Sequence, residues 1–286
     1  MELEDRLLAA LQRVALRAAR AAGEVLRGGF GRCHRYELKS SRVDLVTDYD
    51  RRSEEEIVRV IQRAFPDHAI LSEERAQAQE QEQEGTGPSS SAESEFKWII
   101  DPLDGTTNYA HGYPLFAVSI ALERAGELLL GVVYNPVLEE LFLAVRGRGA
   151  TLNGRPIRVS QTERLSQALL ATGFPYELER VGLNLEFFRR FIYRAQAIRR
   201  DGAAAPDLCY VACGRFDGFW ELDLKAWDIA AGVLIVKEAG GRVSDFSGDE
   251  LDLYGNEILA SNGLIHEEMV QVLQEGAQDQ GQAGYS

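Results

Sequence analysis

Apolar and polar positions along this chain follow two different periods, and the switches between them mark its elements. Residues 2–28 place Leu3, Leu7, Leu11, Val14, Ala18, Ala21, Ala22 and Val25 on one stripe at helical spacing, closed by Gly28 and Gly29. The stripe predicts a surface helix packed on the body of the protein. Val43, Leu45 and Val46 are strand-like. Residues 51–65 predict a second helix, with Ile57, Val58, Ile61 and Phe65 on its inner side, Pro66 as its stop and Asp50 at or near its N-terminus. Residues 69–71 and 98–100 are short apolar runs of strand type, the second ending at Asp101 because Pro102 cannot continue a ladder. Residues 116–123, 128–134 and 138–145 predict an antiparallel meander, followed by turns at 146–150 and 153–154 and a further strand at 157–160.

The second half alternates strands with helices. Residues 168–172, 215–222, 241–245 and 257–260 read as strands. Residues 185–195, 203–214 and 264–273 read as helices, with Pro206 in the first turn of the second, where proline is tolerated. Residues 225–241 hold a strongly apolar helix that starts near Asp228 and ends at Gly240 and Gly241. These patterns predict an α+β fold of stacked α-β-α-β-α layers with the functional site between two halves. We place an N-terminal α+β half at 1–160, a C-terminal α/β half at 161–275 and a disordered tail at 276–286. Residues 75–95, rich in Gln, Glu, Ser and Gly, read as a mobile insertion between two strands.

Composition narrows the function classes. The net charge is −14 with no marked Lys/Arg cluster, which argues against nucleic acid or an anionic membrane as the main partner. A small anionic substrate stays open, because bound cations invert a local field. The three cysteines, Cys33, Cys209 and Cys213, are odd in number and widely spaced, which suits a reducing compartment. Cys209 and Cys213 read as buried packing residues. No stretch is long enough to span a membrane and the N-terminus has no signal-peptide core, so the cytoplasm is the expected location.

The candidate chemistry centres on residues 98–111, W-I-I-D-P-L-D-G-T-T-N-Y-A-H. Asp101 and Asp104 stand at the end of a buried strand, and Gly105, Thr106 and Thr107 suit a helix N-terminus. Carboxylates supply oxygens to Mg²⁺, and free N–H groups at a helix start suit a phosphate. An Asp-Pro turn followed by a helix cap is the plain alternative. Local alternatives also stand for the other acids: a helix cap for Asp50, solvated side chains for Glu73 and Glu74, and a macrodipole partner for Asp228. No Cys, His or Ser is placed as a covalent nucleophile, and His111 reads as a rim residue.

At this point the sequence resembles the inositol monophosphatase family. Residues 98–111 resemble its first signature, and W-D-I-A-A-G with the following apolar run and Gly240-Gly241 resembles its second. D-L-V-T-D-Y-D, L-S-E-E and F-W-E-L-D-L match in order and rough spacing, so the resemblance covers about residues 5–272. It implies the layered sandwich of the inositol monophosphatase and fructose-1,6-bisphosphatase type. It implies that Glu73, Asp101 and the Leu103 carbonyl hold a first Mg²⁺, and that Asp101, Asp104 and Asp228 hold a second. A third, held through water by Glu73, would make two or three per site. By the same resemblance Asp50 and Thr106 orient the attacking water, with Glu73 in the catalytic set. Gly105, Thr106 and Thr107 cradle the phosphate. Glu221 and Ala204 contact the substrate hydroxyls beside Gly202 and Ala203, Asp228 belongs to the same contact set, and Lys39 sits near the mouth. A homodimer is also implied.

The resulting expectation is a Mg²⁺-dependent, Li⁺-sensitive hydrolase of phosphate monoesters, with myo-inositol 1-phosphate as substrate and a metal-activated water as nucleophile. The alternatives are a related phosphatase of fructose 1,6-bisphosphate, NADP, histidinol phosphate or a 3′-phosphoadenosine nucleotide, or a non-catalytic metal-binding regulator. Three features depart from the family pattern: the long 75–95 insertion, the missing hydroxyl at Ala203, and the extra charge of Asp201.

Overall fold

The computed structural model describes residues 2–32, 37–38, 45–76, 94–175 and 178–275. The expectations for Cys33, Lys39, Val43, the greater part of the 75–95 insertion and the 276–286 tail lie outside the described residues.

Five layers stack as the pattern predicts. The first sheet has seven strands in the order β3 (Ala69–Ser72), β4 (Phe96–Asp104), β5 (Ala117–Arg124), β6 (Glu127–Asn135), β7 (Glu140–Val145), β8 (Ala150–Leu152) and β9 (Arg155–Pro156). Only its β3–β4 pair is parallel. A short hairpin of β1 (Glu37–Leu38) and β2 (Leu45–Val46) stands apart from it. Strand residues alternate between two buried faces. Trp98, Ile100, Phe116, Val118, Ile120 and Leu122 face outward onto α1 (Glu2–Gly29) and α2 (Asp48–Ala64). Ile99, Ala117, Ala121 and Val133 face inward onto α5 (Ala204–Ala212) and α6 (Ala226–Glu238).

The second sheet covers the other side of α5 and α6. Its order is β11 (Ala197–Arg199), β10 (Leu169–Thr172), β12 (Gly218–Leu222), β14 (Glu257–Ser261) and β13 (Arg242–Ser244). Phe219 points to the central helices, while Trp220 and Leu222 point to the outer layer of α4 (Leu178–Ile192) and α7 (His266–Gln274). Small side chains let the central layer close up. An added Cβ at Gly131 of β6 would lie 2.8 Å from the Ala231 carbonyl oxygen of α6.

The structure departs from the pattern in several places, each with a local cause. The α1 stripe is rotated: Leu11, Ala15, Ala18, Ala22 and Leu26 are buried, and Leu7 is exposed. Its many alanines leave the phase of the stripe weakly marked. Helix α2 begins at Asp48, three positions before the predicted start, because Thr47 caps it. Strand β4 does not stop at Asp101. It runs to Asp104 across a register shift that accommodates Pro102, as bulges do. Residues 157–160 form no strand; the pairing there is β8 with β9 instead. Strand β12 starts at Gly218, three residues late, α4 starts at Leu178, seven residues early, and β11 was not anticipated.

His266, at the start of α7, is fully buried between two hydroxyls: Ser244 Oγ lies 2.8 Å from Nε2 and Ser261 Oγ 2.9 Å from Nδ1. Burial first, then Arg242, pushes its pKa down to about 4.

Two predictions follow from this packing. Gly131→Ala is destabilising by about 1–3 kcal/mol, because the clash is with backbone that cannot retract. In thermal melts this is a Tm drop of about 2–4 °C per kcal/mol. His266 stabilises the fold while neutral. Its contribution is present above the ordinary value of 6.5 and is lost as the pH falls toward 4. His266→Gln therefore flattens this part of the stability profile in denaturant titrations between pH 6.5 and 4.5.

Candidate functional site

The site is built at the bulged end of β4. The register shift between Asp101 and Asp104 turns both carboxylates to one place, and each is held by backbone. The Leu103 N–H donates to Asp101 Oδ1 at 2.9 Å. The Ala205 N–H, in the first turn of α5, donates to Asp104 Oδ2 at 2.6 Å. The Lys225 N–H donates to Asp228 Oδ2 at 2.6 Å, so the Asp228 carboxylate caps the N-terminal backbone of α6. One oxygen of Asp228 thus serves the helix start while the side chain keeps its charge beside the neighbouring acids.

Asp50 behaves in the same way. Its Oδ2 accepts from the Thr47 N–H at 2.7 Å, one half of the capping box of α2, and also from the Thr47 hydroxyl at 2.6 Å. Its Oδ1 accepts from the Thr106 hydroxyl at 2.9 Å. That hydroxyl also lies 3.0 Å from the Leu103 carbonyl oxygen, so its single proton chooses between two acceptors. Ser53 of α2 donates to the Pro102 carbonyl at 2.7 Å and anchors the bulge from behind. Glu73 opens a helical turn at 73–76, immediately beyond β3.

The acids sense one another. Burial, then the charges of Glu73, Asp104 and Asp228, holds the Asp101 carboxyl well above the usual carboxylate range. Burial and Asp228 do the same to Asp104. Asp228 is raised to about 7 by burial and then Glu73, with the Lys225 N–H opposing. Asp50 is also raised to about 7, chiefly by burial, with Glu73 and Glu74 adding to it and Thr47 opposing. Among the described residues, no three His, Cys, Asp or Glu side chains already converge to the spacing of a ligated ion. The donor set is nonetheless all oxygen, which suits a hard divalent cation such as Mg²⁺ before Zn²⁺.

Gly105 takes a left-handed conformation, φ 89°, and caps α3 (Thr106–Ala110). An added Cβ there would lie 3.1 Å from both the Ala203 Cβ and the Leu115 carbonyl oxygen. This close approach brings the Gly105–Thr107 turn against the 202–204 segment, although nearly a hundred residues separate them. Thr107 is exposed, Gly202 adopts φ 79°, and Ala203 and Ala204 are buried. Glu221 is buried on β12, and burial, then Asp104 and Asp228, raises its pKa well above normal. His111 is exposed, Cys209 is buried and Cys213 is half-buried.

Two residues beyond the candidate set contribute. Asn108 Nδ2 donates to the carbonyls of Leu115 at 2.7 Å and Asp201 at 2.8 Å, stapling α3 to the second half of the chain. Asp207 is buried on α5 with Oδ1 lacking a hydrogen-bond partner among the described residues, and burial holds its pKa well above normal. Asn108 stands inside the signature, but its partners are distant in sequence, so spacing carries no sign of its role. Asp207 reads locally as a first-turn acid of a helix.

Comparison with known proteins agrees with this architecture. The inositol monophosphatase family profile matches residues 7–278. An inositol-1-monophosphatase of Synechocystis is 45% identical over 261 residues, covering 91% of this chain and 87% of that protein. A protein of Pseudomonas aeruginosa named Nus factor SuhB is 44% identical over 265 residues, covering 91% of this chain and 94% of that one. The crystal structure of the extragenic suppressor protein SuhB of Bartonella henselae superposes with a TM-score of 0.84 at 40% identity, covering 93% of this chain and 99% of that one. Two signatures, a shared five-layer fold and a match along nearly the whole chain lead to one conclusion: this chain belongs to the inositol monophosphatase family.

Proposed function

We propose that this protein hydrolyses a phosphate monoester, with myo-inositol 1-phosphate as its substrate and Mg²⁺ as its cofactor. The observation that carries the proposal is the gathering of Asp101, Asp104 and Asp228 within reach of Glu73, where burial first and then the neighbouring charges raise the pKa values of the three aspartates. Such a cluster repels a phosphate dianion by itself. Mg²⁺, when bound, neutralises the phosphate, acidifies a water and stabilises the leaving alkoxide. Asp101 and Asp104, with the Leu103 carbonyl, Asp228 and Glu73, would hold two or three such ions.

The remaining roles belong to the chain itself. Thr106 and Asp50 form a hydroxyl–carboxylate pair at 2.9 Å. The pair would orient the attacking water and take up its proton, the Asp50 carboxyl being raised from its ordinary value chiefly by burial. The N-terminus of α3 at Gly105, Thr106 and Thr107 supplies N–H groups to the phosphate. Its turn is too short for a large dipole, so the backbone donors carry the interaction. Glu221, with Gly202, Ala203 and Ala204, faces the alcohol part. Its carboxylate favours a polyol over a nucleotide, which would need an aromatic or basic surface for the base. A homodimer accompanies this reading by family.

A second reading is favoured by the relative named Nus factor SuhB: a regulatory role, alongside or in place of catalysis. Among the described residues no helix is long and apolar enough to cross a membrane, which leaves both readings open.

The direct test is phosphate release from myo-inositol 1-phosphate, fructose 1,6-bisphosphate, NADP, histidinol phosphate and adenosine 3′,5′-bisphosphate, each with Mg²⁺ and with or without Li⁺. Preference for inositol 1-phosphate with Li⁺ inhibition supports the proposal. Preference for another ester overturns the reading of Glu221, and no release from any moves the weight to the regulatory reading.

The acid cluster also sets a pH dependence whose sign differs with and without metal. Raised carboxyls such as Asp50 and Asp228 stabilise the metal-free fold fully below their ordinary value of 3.8, and lose that contribution as the pH rises through about 7. In chelator, Tm therefore rises when the pH falls from 7.5 to 5.5, the several carboxyls outweighing His266. With millimolar Mg²⁺ the order reverses, because binding needs ionised ligands. Asp101→Asn raises the metal-free Tm, abolishes the Mg²⁺-induced shift and lowers turnover by about 10²-fold or more. An unchanged pH profile on adding Mg²⁺ contradicts the assignment.

A further inference from the structure

Glu221 is buried on β12, where the proposed reading puts the alcohol part of a substrate. Strands β10 and β12 run parallel and pair Thr172 with Trp220. Gly173 follows β10 directly and Glu221 follows Trp220 on β12, so the two meet side by side where the pairing ends. Gly173 there has no room for a side chain. An added Cβ would lie 1.8 Å from Glu221 Oε1, 2.2 Å from its Cδ and 2.4 Å from Oε2. The carboxylate thus occupies the space where the side chain of residue 173 would be. The φ of Gly173 is not in the left-handed region, so its backbone does not require glycine; the carboxylate does.

Both flanks of this contact are pinned by one side chain. Asn184, fully buried on α4, accepts from the Trp220 Nε1–H at 2.8 Å. Its amide donates to the Thr172 hydroxyl at 3.3 Å and to the Gly173 carbonyl. One amide therefore ties the residue before Glu221 to the residue that walls it. The stacking of Phe191, also on α4, against Trp220 at 4.2 Å between ring centroids fixes the indole in the same layer.

We propose that Gly173 and Asn184 are positioning residues that set the Glu221 carboxylate, and through it the selectivity of the site for the polyol part of its substrate. The inference rests on the proposed role of Glu221 as the substrate-contacting acid. The hydrogen bonds of Asn184 run to Thr172, Gly173 and Trp220, away from Asp101, Asp104 and Asp228. Their loss leaves the hydrolytic machinery in place and alters which alcohol it accepts.

The test uses Gly173→Ala, Glu221→Ala and the double variant of the full chain. KM and kcat are measured for myo-inositol 1-phosphate and for p-nitrophenyl phosphate, a small ester with no polyol. Gly173→Ala is expected to raise KM for inositol 1-phosphate about tenfold or more, as an ångström-scale misplacement does. KM for p-nitrophenyl phosphate and both kcat values stay within about twofold. In the Glu221→Ala background, Gly173→Ala adds nothing further, because the group it displaces is gone. An equal loss for both substrates, or a full additional loss in the double variant, overturns the proposal. If Glu221→Ala alone leaves KM for inositol 1-phosphate unchanged, the role of Glu221 itself fails, and the proposal with it. That outcome is distinct from the case where Glu221→Ala matters and Gly173→Ala does not, which rejects the positioning role alone. Should Gly173→Ala not fold, Glu221→Asp is added to it, since the shorter side chain makes room for the methyl group. Recovery of folded protein with a KM for inositol 1-phosphate within about twofold of that of Glu221→Asp alone supports the proposal, and failure to fold in this background, or a further loss, overturns it.

Discussion

Everything in this protein turns on the cost of gathering carboxylates that repel one another. Asp50, Asp101, Asp104 and Asp228 come from three segments of the chain, α2, β4 and α6, and burial with their mutual charge raises all four pKa values above the usual range. A fold accepts such an arrangement only when other interactions hold the groups in place. Here the holding is done by backbone N–H groups: Thr47 for Asp50, Leu103 for Asp101, Ala205 for Asp104 and Lys225 for Asp228. Three of these donors lie at or next to helix starts, where N–H groups have no partner within the helix. The same geometry that completes each helix therefore aims an acid at the site. This is why the plain reading of Asp50 and Asp228 as helix caps does not compete with the functional one.

The layered packing supplies the rigidity that this gathering needs. Helices α5 and α6 lie between two sheets and carry the Ala205 N–H and Asp228 into the site from one side. The β4 bulge and α2 carry Asp101, Asp104 and Asp50 in from the other. Close approaches at Gly131 and Gly105 draw the layers together. Asn108 then crosses between the halves to hold the 201–202 segment beside the start of α3. The candidate site is thus a seam, and its chemistry depends on contacts between residues far apart in the chain.

That seam marks the limit of what the sequence makes legible. The five layers follow from alternating apolar periods, and the acids stand out because Asp, Glu and Thr at strand ends are unusual in a chain whose strands are otherwise apolar. The phase of α1 is obscured by its alanines, and β8, β9 and β11 are too short to carry a period. Strand β4 continues past Pro102 because a bulge removes the need for a ladder hydrogen bond there, which no local pattern announces. Asn108, Asp207 and Gly173 are silent for a different reason. Their importance lies in what they face across the fold, and a glycine beside a buried glutamate 48 positions later looks like any loop glycine.

In the function proposed here, a divalent cation completes the acid cluster. The most direct test is anomalous diffraction from a crystal of this protein soaked in Mn²⁺, a stand-in for Mg²⁺ that scatters strongly. The account predicts at least one anomalous peak within coordinating distance of Asp101, shared with Asp104 and Asp228 or with Glu73 and the Leu103 carbonyl. Ordered Mn²⁺ elsewhere with no peak at Asp101, in crystals grown near pH 7.5, would contradict it.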